Sequence, residues 1–200
     1  MNDERLDEKF IYSLYGKMDK NLKRHRYVHS VGVAGTAASL AMKYKEDINK
    51  AHIAGILHDC AKCYNDEELL RLCEKNMIGI SDFERDHGFL LHAKYGAFLA
   101  KDKYGIDDED ILSAIRWHTT GKENMTLLEE IVFVADYIEP SRNRLGRLGE
   151  IREAAFNETS LDKAMMMILE ETIGYLKRTG GDVDEAALRA YEYYKGKGNI

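Results

Sequence analysis

The sequence predicts an all-α fold, one helical bundle of about nine helices over residues 1–200. Three observations predict it. The chain holds a single proline, Pro140, among 200 residues, and proline is what a helix interior tolerates least. Apolar residues recur at helical steps of three and four. No stretch sustains the alternation of a strand, and neither an internal repeat nor a Ser/Pro/Gly-rich linker divides the chain.

In chain order, the first helix follows from Leu6, Phe10, Leu14 and Met18, which step by four, and the second from His29, Val33, Ala37, Leu40 and Tyr44. A third begins near Ile48, carries Ala51, Ile53, Ala54, Ile56 and Leu57 inward, and closes at His58-Asp59. Asn65 with Glu68, Ser81 with Glu84 and Thr126 with Glu129 each place a side-chain acceptor three residues before an acid. That pairing satisfies the free N–H groups of a helix start. Asp107-Asp108-Glu109-Asp110 is a further charged start. Gly105, Gly121, Gly180-Gly181 and Gly196 follow periodic runs where a left-handed cap is wanted. Pro140 ends a helix expected over 127–139.

Composition narrows the function. Lys and Arg total 29 against 35 Asp and Glu, a net charge of −6, with 44% hydrophobic residues. Such a chain is globular rather than disordered, and without a basic stripe it is not built for duplex nucleic acid. Strictly apolar runs such as Ile131 to Ala135 and Ala164 to Leu169 are far below the roughly 18 residues of a membrane span. The charged N-terminus carries no apolar secretory core, so a cytoplasmic location is expected. Three cysteines, Cys60, Cys63 and Cys73, argue against a disulfide framework, and Cys60-x-x-Cys63 lacks a second pair to make a zinc site.

The candidate chemistry lies in histidines and aspartates on inward faces. His58-Asp59 closes a helix whose C-terminal end favours a cation, and adjacent helical residues, about 100° apart, can both reach one flank. His29 shares a stripe with Val33 and Leu40, His92 lies with Tyr95 and Leu99, and His118 follows Ile111 and Ile115. Asp136 interrupts Ile131-Val132-Phe133-Val134-Ala135 and Ile138. A carboxylate there needs a cation or several donors. Four imidazoles and two carboxylates without thiolate suit Fe, Mn, Zn, Co or Ni rather than Ca or an iron-sulfur cluster.

In order, His29, His58-Asp59, His92, His118 and Asp136 resemble the extended motif of the HD-domain metal-dependent phosphohydrolases. The contexts Arg26-Tyr27-Val28-His29-Ser30, His58-Asp59-Cys60-Ala61-Lys62, Leu90-Leu91-His92, His118-Thr119-Thr120-Gly121 and Ala135-Asp136-Tyr137-Ile138-Glu139-Pro140-Ser141-Arg142 are similar to the bacterial YqeK family of symmetrical diadenosine tetraphosphate hydrolases. Ala93-Lys94 and Arg144-Leu145-Gly146 depart from that family's pattern. The resemblance implies two divalent ions, iron with Mn or Co as substitutes, and Asp59 bridging them. His29, His58 and Asp136 complete one metal's ligands, and His92 and His118 the other's. It further implies attack by a metal-bound hydroxide in the middle of the tetraphosphate, releasing two ADP.

Within that reading Asp59 and Lys62 are the catalytic candidates. Substrate contacts are expected from Arg26, Lys62, Thr119, Thr120 and Arg142, with Arg144 and Arg147 beside it, and from Tyr137 as a base-stacking ring. Lys62 is expected on the same helical face as Asp59. The partner is a dinucleoside polyphosphate or another nucleotide, with no membrane, and a homodimer is compatible with the sequence. The alternatives are an HD-domain phosphatase for a different nucleotide and a nucleotide-binding regulatory module without turnover.

Overall fold

The structure, a computed structural model, describes residues 6–143 and 146–197. Among them are eleven α-helices and one 3-10 turn. They are α1 (Glu8–Asn21), α2 (Arg24–Tyr44), α3 (Ile48–Leu57), α4 (Asp66–Lys75), α5 (Asp82–Asp86), the turn Gly88–Leu90, α6 (Leu91–Asp102), α7 (Glu109–Trp117), α8 (Leu127–Ile138), α9 (Leu148–Asn157), α10 (Asp162–Thr179) and α11 (Glu185–Lys197). The all-α class is as expected, with two helices more than nine. The five residues of α5 are too few to show an apolar stripe. None of the helices is long and apolar enough to cross a membrane.

Local chemistry sets the helix ends. All three expected capping boxes form, at Asn65, Ser81 and Thr126, and Asp108 starts α7 by accepting from the Asp110 and Ile111 amides. Gly105, Gly121 and Gly180 take φ of +76°, +65° and +73°, where side chains other than glycine are strained. Gly196 does not stop a helix, since α11 runs through it to Lys197. α8 stops at Ile138 because Pro140 denies helical backbone to Glu139, which sits at φ −53° and ψ 157°. In α1 the buried stripe is Ile11, Leu14 and Met18, with Phe10 only partly covered.

The core forms around α8, which buries Leu128, Ile131, Val132, Phe133, Val134, Ala135 and Ile138. A helix apolar on nearly every side belongs in the centre. It packs on α2, α3 and α7, with α10 across another face. α2 and α3 cross so closely that a Cβ on Gly55 would meet Ala34 Cα at 2.8 Å, and this approach brings the end of α3 beside the middle of α2.

Candidate metal centre

Five helices deliver the expected residues to one place. His29 comes from mid-α2, His58 and Asp59 follow α3, His92 stands in the first turn of α6, His118 caps α7 and Asp136 lies in the last turn of α8. Beyond Leu57 the chain runs in turns to Tyr64 rather than continuing as helix. Lys62 is therefore not on a helical face with Asp59. Its amide donates to Asp59 O at 2.9 Å, and the tight turn returns its side chain to the same cleft.

The carboxylates sit between the rings. Asp59 Oδ2 lies 3.8 Å from His58 Nε2, while Oδ1 lies 3.3 Å from His92 Nε2 and 3.6 Å from His118 Nε2. Asp136 Oδ1 is 2.9 Å from His29 Nε2 and 3.9 Å from His58 Nε2. Nitrogens and oxygens of His29, His58 and Asp59, and again of Asp59, His92 and His118, converge within 4.8 Å. These two groups share Asp59, and His58, His118 and Asp136 form a third group that spans them.

Hydrogen bonding orients the imidazoles. Nδ1 of His58, His92 and His118 donates to the carbonyls of Gly55, Phe89 and Ile115 at 2.7, 2.5 and 2.7 Å. A carbonyl only accepts, so in each neutral ring Nε2 is left as a lone pair. His58 Nε2 is buried without a hydrogen-bond partner. His92 and His118 bring their Nε2 atoms within 3.1 Å, and with both Nδ1 atoms protonated neither has a proton to offer. Burial pushes His58 down to about 4 and lowers His92, which keeps those rings neutral. Burial alone would raise Asp59 and Asp136, and both fall below the usual carboxylate range only where the facing imidazoles carry positive charge. Buried lone pairs facing buried carboxylates fit a cation. A guanidinium already stands at one edge, with Arg142 Nη2 2.9 Å from Asp136 Oδ1 and 3.5 Å from His29 Nε2.

A cleft of about 500 Å³ opens onto these atoms, and Arg26, Lys62, Thr119 and Arg142 line it. Arg26 Nη1 is 3.8 Å from Asp59 Oδ2, and Thr119 Oγ1 is 3.2 Å from His118 Nε2. Thr120 and Tyr137 do not line it: Thr120 donates to Gly121 O, and Tyr137 packs against the core. Arg147 is bound to Glu150 and Glu170, Lys94 to Glu84, and Arg144 lies outside the described residues. Exposed His25, which carried no expected role, stands at the cleft.

Glu139 is the residue sequence reasoning passed over. Its buried carboxylate accepts from His29 Nδ1 at 3.0 Å and from the amide of Ser141 at 2.6 Å, with the Ser141 hydroxyl a third donor. Gly32 makes room for it, since a Cβ there would lie 2.5 Å from Glu139 Oε2. The signal was present in Asp136-x-x-Glu139-Pro140, an acid one helical turn beyond the first and fixed by the proline.

Residues 26–141 match the HD domain. The chain belongs to the HD-domain family. Its relatives within that family narrow the comparison. The HD-domain chain is 40% identical over 176 residues to the symmetrical bis(5'-nucleosyl)-tetraphosphatase of Bacillus subtilis (strain 168), covering 87% of this chain and 91% of that protein. It is 36% identical over 175 residues to the Staphylococcus aureus (strain NCTC 8325 / PS 47) protein of the same name, covering 88% and 89%. A crystal structure of a predicted HD superfamily hydrolase involved in NAD metabolism from Clostridium acetobutylicum superposes with a TM-score of 0.88 at 41% identity, over 93% of this chain and 97% of that one. This HD-domain protein is an enzyme, a hydrolase like its relatives.

Proposed function

We propose that this chain hydrolyses diadenosine tetraphosphate symmetrically to two ADP, with two divalent ions in its His/Asp cluster. Asp59 carries the reading, because its two oxygens face different imidazole sets. The names of the Bacillus and Staphylococcus relatives supply the substrate class. His29, His58 and Asp136 would hold one ion and His92 and His118 the other, with Asp59 shared. Iron is proposed, with Mn or Co as substitutes.

When bound, such a pair polarises phosphoryl oxygens and makes a water acidic near neutral pH. The protein supplies position and charge. Arg26, beside Asp59, Arg142, beside Asp136, and Lys62 line the cleft and would neutralise phosphates along a polyphosphate chain. Burial lowers the Lys62 ammonium from its ordinary value, so an anion beside it gains more than it would in bulk water. Thr119 offers a hydroxyl at the metal-facing edge. Water oxygen bonds to an inner phosphorus, the central bridging P–O bond breaks, and the departing ADP leaves as an anion or takes up a proton.

The test is chromatography of products from diadenosine tetraphosphate, using anaerobically prepared protein with Fe(II) or Mn(II). ADP as the sole nucleotide product is expected. ATP with AMP would overturn the cleavage position, and absence of turnover with metal bound would overturn the substrate.

A further inference from the structure

Among the described residues the metal cleft carries no apolar wall for a nucleobase. Its lining is His, Arg, Lys, Asp, Glu, Ser and Thr throughout, and Tyr137, the ring expected to stack a base, lies elsewhere. A second cavity of about 190 Å³ adjoins it and shares Thr119. Phe83, His87, Phe89, Phe133 and Ile173 give this slot apolar and aromatic walls, with Thr120 also on its lining. Resting on the function proposed above, we propose that this slot is the nucleobase subsite of the enzyme.

Three observations carry the assignment. The rings of Phe83 and His87 stack at 4.2 Å and 15°, and Phe89 meets His87 edge-on at 6.1 Å and 82°. A flat aromatic pair with a third ring at an angle receives the face of a base. Phe89 is 47% exposed, an apolar ring at the rim that the core does not require. The third observation is continuity with the metal centre. The carbonyl of Phe89 receives His92 Nδ1–H, so one 3-10 turn orients a metal-facing imidazole and carries a wall of the slot. A base there would have its phosphates beside Thr119 and the His92–His118 pair. The hydroxyl of Thr120 and the carboxylates of Asp182 and Asp184 at the slot can meet the polar edge of a base. Stacking accepts any base, so the subsite is expected to favour a purine by surface rather than to read adenine strictly.

The experiment is calorimetric binding of ADP and of inorganic pyrophosphate to Mn(II)-loaded wild type, Phe89→Ala and Thr172→Trp. The first variant removes a wall at the exposed rim, and the second fills the slot from an exposed position on α10. Both are expected to weaken ADP about ten- to a hundredfold and to leave pyrophosphate unchanged. Equal losses for both ligands, or undiminished ADP binding in both variants, would overturn the subsite while the hydrolase reading stands. Wild type that binds neither ligand would overturn both.

Discussion

Asp59 and Lys62 occupy the same turn yet do different work. Asp59 faces three imidazoles, so Asp59→Ala is expected to abolish both metal binding and turnover. Lys62 lines the cleft without a metal-facing contact, so Lys62→Ala is expected to retain metal and lose about 100- to 1,000-fold in kcat. Metal content and single-turnover rates measured together separate the two. Glu139 acts one step further out, through His29. A carboxylate behind a metal-ligating histidine fixes its tautomer and raises its basicity, and removing such partners costs about 10- to 100-fold in metal affinity. Glu139→Gln is therefore expected to lower Mn(II) or Co(II) affinity by that factor. Gly32→Ala should reproduce the loss with Glu139 intact, because its Cβ would displace Oε2. In the double variant the two losses should fail to add, whereas full additivity in metal titrations would separate Glu139 from His29. Asp136 was legible in the sequence because a charge stands out in an apolar run. Glu139 carried only the local signal of an acid one turn on, and its role was not legible, since its partner His29 is far away in the chain and its room is made by a missing methyl at Gly32.

At the level of elements, the caps and turns were the most readable features. Capping boxes, the left-handed Gly105, Gly121 and Gly180, and the proline stop are decided within a few residues, and there the sequence-based boundaries and the structure agree to within a residue or two, Gly196 being the exception. What escaped was decided by packing between elements. The turns from His58 to Tyr64 follow from seating His58 against the core. The slot beside the cleft draws its walls from α5, the 3-10 turn, α8 and α10, which no local pattern reveals. The α8–α11 contact shows the same dependence. Tyr194, fully buried on α11, donates to Glu130 Oε1 on α8 at 2.7 Å, and burial raises the Glu130 carboxyl to about 7. A folded value above the unfolded one means the contribution is complete below about pH 4.5 and is lost as pH rises through about 7. Glu130→Gln keeps the acceptor and cannot ionise. Relative to wild type it is expected to gain about 3 kcal/mol between pH 4.5 and 8. Urea unfolding at the two pH values checks this, and a constant difference would remove Glu130 as the source.

For the whole molecule, the candidate metal centre is a long-range tie. Ligand candidates from α2, the end of α3, α6, α7 and α8 meet around Asp59, so a cation held there binds the folded chain and has no preformed site in the unfolded one. At a free concentration 100 times Kd this linkage supplies about 2.7 kcal/mol, which for a domain of this size is about 5–10 °C in Tm. The same geometry sets how that stabilisation depends on pH. Without metal, burial holds His58 at about 4, below its unfolded value. Its contribution is therefore present above about pH 6.5 and lost as pH falls toward 4. Protons compete with metal at His29, whose ring burial would lower but the Asp136 and Glu139 carboxylates raise above its ordinary value, so the metal's own contribution weakens in the same direction. Scanning calorimetry of Mn(II)-loaded and chelator-treated protein is expected to show the full gap in Tm at pH 8 and a smaller one at pH 6. A gap that stays constant across that range would mean that the cation is held without His29, because carboxylates have finished titrating well below pH 6.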